Sequence, residues 1–250
     1  MPCKNCLEKP VINLTNNNIK LCKQHFIKYF ERKVLGLIKD YKLIERNDKV
    51  GVAVSGGKDS LTVLNILNML KNKIKIFEIE AIAIDEGIKD YRDKTLEQAE
   101  KFCKEINIKL HIFSYKDEFG DTLDNFLKKT KMKACSMCGP FRRYLLNKKS
   151  KGLGFTKLAT GHNLDDEAQT IMMNYFRKNL ETSARLGPIT GIKNDKRFIR
   201  RIKPLYLMTE REVATYAFLK GLTSEFLECP HSSDSYRGDV MEFLNNFEAK

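Results

Sequence analysis

The run KVGVAVS at 49–55 is almost wholly apolar and rich in β-branched residues, the pattern of a strand buried on both faces. IEAIAID at 79–85 and KLHIFSY at 109–115 predict two more strands, and KLATG at 157–161 a fourth. Between them, helical spacing of apolar residues predicts helices over 60–70, 95–106, 123–129, 141–149 and 165–178. Another helix, over 26–44, precedes the first strand, and a turn is expected around Cys135. On the 165–178 helix, Ala168, Ile171, Met172 and Tyr175 share a face and are expected in the core. Strands alternating with helices predict an α/β fold: a doubly wound parallel sheet with right-handed crossovers. Ligands in such sheets sit beyond the carboxyl ends of the strands. After Asn179 the pattern loosens. Thr209 with Glu212 three residues on reads as a capping box opening a helix. Pro230 and the polar run at 231–239 predict a loop before a last helix.

At 250 residues the chain is long enough for one large domain, here 31–250 with a C-terminal helical extension, preceded by a small cysteine-rich lobe at 1–30. A hydrophobic content of 42% excludes wholesale disorder. No apolar run approaches the ~18 residues of a membrane span, and the first residues lack the apolar core of a secretory signal. A soluble cytoplasmic protein with no membrane partner is expected. Seven cysteines in such a setting point to metal or catalytic thiols rather than disulfides. Cys103, within a predicted helix between Ala99 and Ile106, reads as a core thiol.

Charge narrows the partner. The net charge of +13 favours a polyanion, nucleic acid first. It is concentrated: residues 127–151 hold nine Lys and Arg and no acid, and 193–203 hold six against Asp195 alone. Acid-free blocks flanking a thiol pair favour a polyanion held beside that pair.

Three motifs carry chemistry. SGGKDS at 55–60 follows a strand and opens a helix. Gly56 and Gly57 let the backbone approach a ligand, and the helix N-terminus offers free N–H groups to an anion. Ser55 and Ser60 add hydroxyls and Lys58 a charge, but the spacing is neither that of a Walker loop nor of a dinucleotide fingerprint. Cys3 and Cys6, then Cys22 and His25, form two short-spaced pairs of soft ligands that suit a closed, structural zinc site. Cys135 and Cys138 are open to three readings: a redox pair, a zinc site with further ligands such as Cys229 and His231, or an iron–sulfur cluster. The acids Asp165, Asp166 and Glu167 follow Asn163, where a helix start favours negative charge in any protein.

SGGKDS, GHNLDDEAQ at 161–169, CSMCGPFRR at 135–143, the ECP around Cys229 and the N-terminal zinc motif occur in an order that resembles the tRNA 2-thiouridine synthetase family of PP-loop ATP pyrophosphatases. The resemblance covers essentially the whole chain. It implies an adenine nucleotide α hydrolase-like fold and a tRNA sulfurtransferase that adenylates a uracil C2 oxygen with ATP and Mg2+. It implies ATP contacts at Ala53, Val54, Ser55 and Asp59, with Ile84 near the adenine, Gly161 against the nucleotide and Arg142 touching ATP. Asp166 becomes a candidate acid, base or magnesium-associated residue. Cys135, Cys138 and Cys229 would hold a 4Fe–4S cluster whose fourth iron has no protein ligand; a persulfide on the same cysteines is the other chemistry the resemblance allows. A homodimer, and a ubiquitin-like sulfur carrier or free sulfide as donor, are implied as partners. Many members add a C-terminal zinc ribbon with two more Cys-x-x-Cys pairs, whereas this sequence has no cysteine after Cys229. Two rivals remain: 2-thiocytidine synthesis, which normally lacks the N-terminal lobe, and a non-catalytic zinc-dependent tRNA-binding protein.

Overall fold

A computed structural model describes residues 2–14, 17–191, 195, 197–223, 227–232 and 236–248. Lys193 and Lys196 of the second basic block, and part of the polar run after Pro230, lie outside the described residues.

The chain opens with a hairpin, β1 (Ile12–Leu14) and β2 (Ile19–Leu21), and enters α1 (Lys23–Asp40). The body follows as β3 (Lys49–Ala53), α2 (Lys58–Ile74), β4 (Glu78–Asp85), α3 (Arg92–Glu105) and β5 (Leu110–Ser114). Next come α4 (Tyr115–Phe119), α5 (Leu123–Lys129), α6 (Ala134–Gly152), β6 (Lys157–Ala159) and α7 (Leu164–Phe176). The chain continues with α8 (Leu180–Ser183), β7 (Ile189–Thr190), β8 (Arg200–Ile202), α9 (Glu210–Leu219) and α10 (Tyr236–Glu248).

The main sheet runs β5-β4-β3-β6-β8-β7. Its first five strands are parallel; β7 adds an antiparallel edge. The chain moves outward from β3 to β5, then returns to β6 on the other side of β3. The strand order therefore reverses between β3 and β6, the crevice where such sheets bind ligands.

Alternation along β4 divides the core. Ile79 and Ala81 join the apolar cluster built with α1, α2, α3 and α9, while Ile82 and Ile84 face residues of α6, including Leu145 and Leu146. Phe30 of α1 stacks on Tyr216 of α9 at 4.3 Å between ring centroids. Cys103 is buried in the first cluster, and burial pushes its thiol up to about 11, as expected of a core thiol. Cys3, Leu14, Leu21 and Cys22 belong to that same cluster, and α1 runs through residue 30 into the body.

Two expectations need correction. Cys135 is not in a turn: α6 begins at Ala134 and continues through Pro140. Proline lies near enough to the helix start for the rest of the helix to carry it, and Cys135 and Cys138 become neighbours one turn apart. Nor does α7 bury its apolar face. Ile171 is 48% and Tyr175 66% exposed, whereas Glu167 and Gln169 are buried. The polar side turns inward because Lys203 pairs with Glu167 at 2.6 Å. Tyr175 and Phe176 instead continue along the surface to Phe243 and Phe247 of α10.

Candidate functional site

The phosphate loop leaves β3 at the reversal point. Val54 and Ser60 are buried and Ala53 is half-buried, while Ser55 is exposed. Ser60 Oγ accepts from Ser55 N–H at 3.1 Å, lies 3.2 Å from Ser55 Oγ and donates to the Gly57 carbonyl at 3.0 Å. This ring of bonds holds the turn while Gly57 caps α2 without a side chain. Gly56 has φ +88°, and a Cβ there would stand 1.9 Å from the Thr95 carbonyl oxygen. Only glycine fits. Gly161, after β6, closes on the same turn: its Cβ would lie 3.0 Å from the Asp59 backbone.

Lys58 Nζ sits between Asp59 at 3.1 Å and Glu210 at 3.0 Å. Burial works against its charge, but the two carboxylates outweigh it and the pKa rises above the ordinary lysine value. Burial also raises Asp59, against the pull of Lys58 and of Asn163, whose Nδ2 donates to it at 3.2 Å. Asp166 has both oxygens engaged: Oδ2 accepts from Asn163 N–H in a capping box, and Oδ1 accepts from Arg237 at 2.7 Å. The helix-start role of these acids is thus realised, and Asp166 also stands close enough to Asp59 to raise its pKa. Asp165 accepts from the Glu210 N–H at 2.7 Å, tying α7 to α9.

The second cysteine group packs against the end of β4. Cys135 is exposed, and Cys138 and Cys229 are half-buried. Cys138 and Cys229 line an apolar cluster with Ile84, Tyr115 and Met137, so the Ile84 side chain is buried beneath the thiols. Tyr115 OH donates to the Cys138 carbonyl at 2.8 Å. Burial raises the Cys138 thiol, with Arg142 pulling the other way. Burial raises Cys229 too, opposed by the His231 backbone. Cys229, in turn, feels the charge of Cys135, so the three sulfurs share one electrostatic environment. His162 follows Gly161, and its Nδ1 lies 2.9 Å from Thr160 Oγ1. Enclosure by the cleft, then Lys203, Arg237, Arg142 and Arg201, hold its imidazole down to about 4, though its edge stays open to solvent.

Part of the first basic block is neutralised from elsewhere: Lys148 and Lys149 meet Glu118, and Lys129 meets Asp121. Lys128, Lys131, Lys133, Arg143, Arg200 and Arg201 have no ion-pair partner among the described residues. Of these, Lys128, Lys131, Lys133 and Arg143 flank Cys135 and Cys138 along the chain, and Arg201 lies close enough to Arg143 for the two charges to repel.

The N-terminal quartet is different in kind. His25 Nδ1 lies 3.6, 3.4 and 3.2 Å from the sulfurs of Cys3, Cys6 and Cys22. All four ligand atoms fall within 4.8 Å of one another, the one such set of Cys, His, Asp or Glu among the described residues. Two soft pairs at this spacing fit tetrahedral zinc, whose sulfur ligands stand about 2.3 Å from the metal. Cys135, Cys138 and Cys229 do not converge that closely. Three cysteines that form no compact ligand set, one exposed and two half-buried, fit a polynuclear cluster better than a single ion, and His231 contributes a backbone carbonyl near Cys135, not a fourth close ligand.

Sequence reasoning did not single out Glu86, Arg92, Glu210 or Arg237. Glu86 follows directly on a strand's carboxyl end, a position that could have flagged it.

A family model described as a PP-loop domain matches residues 26–231, and the chain belongs to that family. Among curated proteins it is 40% identical over 250 residues to tRNA-5-methyluridine(54) 2-sulfurtransferase of Pyrococcus horikoshii, covering 100% of this chain and 78% of the relative. It is 36% identical to the tRNA 2-thiolation protein NcsA of Haloferax volcanii, covering 99% of this chain and 81% of the relative. Among solved structures, U34-tRNA thiolase NcsA from Methanococcus maripaludis with its [4Fe-4S] cluster superposes with a TM-score of 0.87 at 36% identity, over 100% of this chain and 81% of that one. The chain therefore groups with the tRNA 2-sulfurtransferases of the PP-loop family. Likeness to an NH3-dependent NAD synthetase from Campylobacter jejuni, TM-score 0.51 at 17% identity over 92% of this chain and 86% of that one, shows the fold alone.

Proposed function

We propose that this chain is an ATP-dependent tRNA sulfurtransferase that converts a uridine to 2-thiouridine in the cytoplasm. The observation that carries the reading is the chain of contacts from the phosphate loop to the cysteine helix: Ser55 carbonyl to Arg92, Arg92 to Glu86, and Glu86 to Arg142. Ser55 to Ser60 bind the ATP phosphates, aided by Mg2+ and by the helix N-terminus. The basic residues flanking Cys135 and Cys138 hold tRNA phosphates, and the target uracil is extruded to reach the crevice. Its C2 oxygen attacks the α-phosphorus. A P–O bond forms to the base, and the bond to the β-phosphate breaks with pyrophosphate as leaving group. Lys58 and Arg142 balance the charge that moves onto pyrophosphate. A sulfide-level sulfur presented on the cysteine side then adds to C2, and AMP leaves with the C2 oxygen and the bonding pair. No net oxidation occurs.

Cys135, Cys138 and Cys229 would hold a 4Fe–4S cluster; when bound, it supplies a Lewis-acidic iron without a protein ligand at which sulfide is held. Cys3, Cys6, Cys22 and His25 would hold zinc and stabilise the 1–30 lobe. Sulfur comes from a ubiquitin-like thiocarboxylate carrier or free sulfide, and the working unit is a homodimer. Incubation of tRNA transcripts with the anaerobically purified protein, ATP, Mg2+ and sulfide tests the reading. Mass spectrometry should find 2-thiouridine, with AMP and pyrophosphate formed in equal amounts, and position 34 is read separately from 54. Thiolated cytidine, or tRNA binding with no pyrophosphate, would overturn it.

A further inference from the structure

The reaction proposed above needs a cation fixed between the phosphate loop and the thiols. Arg142 stands there, with its side chain half exposed. A long exposed side chain populates many rotamers, and holding one costs entropy unless a partner fixes it. That partner is Glu86. Its carboxylate is 4% exposed, accepts from Arg142 Nη1 at 3.4 Å on one oxygen, and has Arg92 Nε 2.9 Å from the other. Arg92 is equally buried. Its Nη1 donates to the Ser55 carbonyl at 2.7 Å and to Thr95 Oγ1 at 3.1 Å, and its Nη2 donates to the Ile84 carbonyl. One guanidinium thus fastens the first residue of the phosphate loop to the end of β4. The carboxylate it pairs with reaches on to the helix that bears Cys135 and Cys138.

A buried ion pair adds little stability over apolar residues of similar volume, so stability alone gives weak reason for one here. Each partner also holds a second group: Arg92 the loop, Glu86 the cleft cation. We infer that Arg92 and Glu86 are positioning residues that set Arg142, and with it the cysteine helix, in register with the phosphate loop. The inference rests on the proposed function, which gives Arg142 its polyphosphate contact. Both side chains are buried, and their contacts run to other residues of the site: Glu86 acts through Arg142, and Arg92 through Ser55.

The test is a double-mutant cycle on the intact chain, read in ATP affinity and in tRNA-dependent pyrophosphate release, with melting temperatures alongside. Glu86→Gln and Arg142→Ala should each weaken ATP binding about tenfold, the size of one charge-assisted hydrogen bond. The double variant should bind no more weakly than Arg142→Ala alone, because the carboxylate acts through the guanidinium. Effects that multiply, or an Arg142→Ala variant with normal affinity, would overturn the inference. Glu86→Asp is the second variant: it keeps the charge opposite Arg92 but withdraws it from Arg142, and the same non-additivity is expected. Affinity needs no thiolation. A chain that shows the coupling but thiolates no tRNA keeps this inference and loses the proposed function; a chain that binds no ATP loses both.

Discussion

The chain holds two cysteine groups of opposite character. The N-terminal quartet converges to within 4.8 Å, and Cys3 and Cys22 are buried in the main core. The triad forms no such compact set, Cys135 is exposed, and its neighbours are titratable: Glu86, Tyr91, Tyr115 and Arg142. A metal bound by the quartet would be closed to solvent and to substrate. A group bound by the triad would border a cleft lined by cations. Convergence and burial mark a structural site; dispersion and charged surroundings mark a reactive one.

The sharpest way to break this contrast is to mutate each group and read both activity and stability. Cys135→Ala, Cys138→Ala or Cys229→Ala should abolish thiolation, by at least about a hundredfold, with the melting temperature within a few degrees of the parent. Full activity in any one would refute the assignment. Cys22→Ala should do the reverse. Zinc would be lost and stability would fall by more than about 3 kcal/mol, because metal binding is folding energy and the lobe shares its core with α1. Chemical denaturation with zinc analysis checks this, and an unchanged midpoint would contradict it.

Stability is also expected to depend on the buried pair between β8 and α7. Lys203→Met leaves Glu167 buried without a counter-ion and should cost about 3–5 kcal/mol. Denaturant titration reads that loss, and a cost under about 1 kcal/mol would mean that solvent reaches the carboxylate. The smallest effect is electrostatic. His162 should titrate near about 4 without ligand, since the cleft and its four cations disfavour the imidazolium. It is therefore neutral at pH 7, and its contribution to stability holds above the ordinary histidine pKa and falls on acidification from about 6.5 towards about 4. ATP brings negative charge and should move the pKa upward. Imidazole chemical shifts against pH measure this, and a pKa that ignores ATP would place the nucleotide elsewhere.

These differences also explain what was legible in the sequence. The quartet could be read from spacing because each pair sits on one tight turn, Cys22 at the cap of α1 and His25 in its first turn. The phosphate loop could be read because strand, paired glycines and helix coincide within a few residues, and the sheet order confirms its place at the reversal point. The triad could not be assembled locally: Cys229 lies far along the chain, and only the family resemblance joined it to Cys135 and Cys138. The hairpin at Ile12–Leu14 and Ile19–Leu21 was missed because three-residue strands carry almost no periodicity. The exposure of Ile171 and Tyr175 was missed because pattern alone does not reveal that Lys203, just after β8, meets the polar face. Arg92 and Glu86 escaped notice because two charges become a buried relay only when β4, α3 and the loop come together.

The most direct test of two distinct cysteine sites is an anaerobic purification with iron, sulfide and zinc counted per chain and a visible spectrum recorded. About four iron and four sulfide are expected together with about one zinc. About two zinc and no iron would contradict this, leaving Cys135, Cys138 and Cys229 as a second structural site or as carriers of a persulfide.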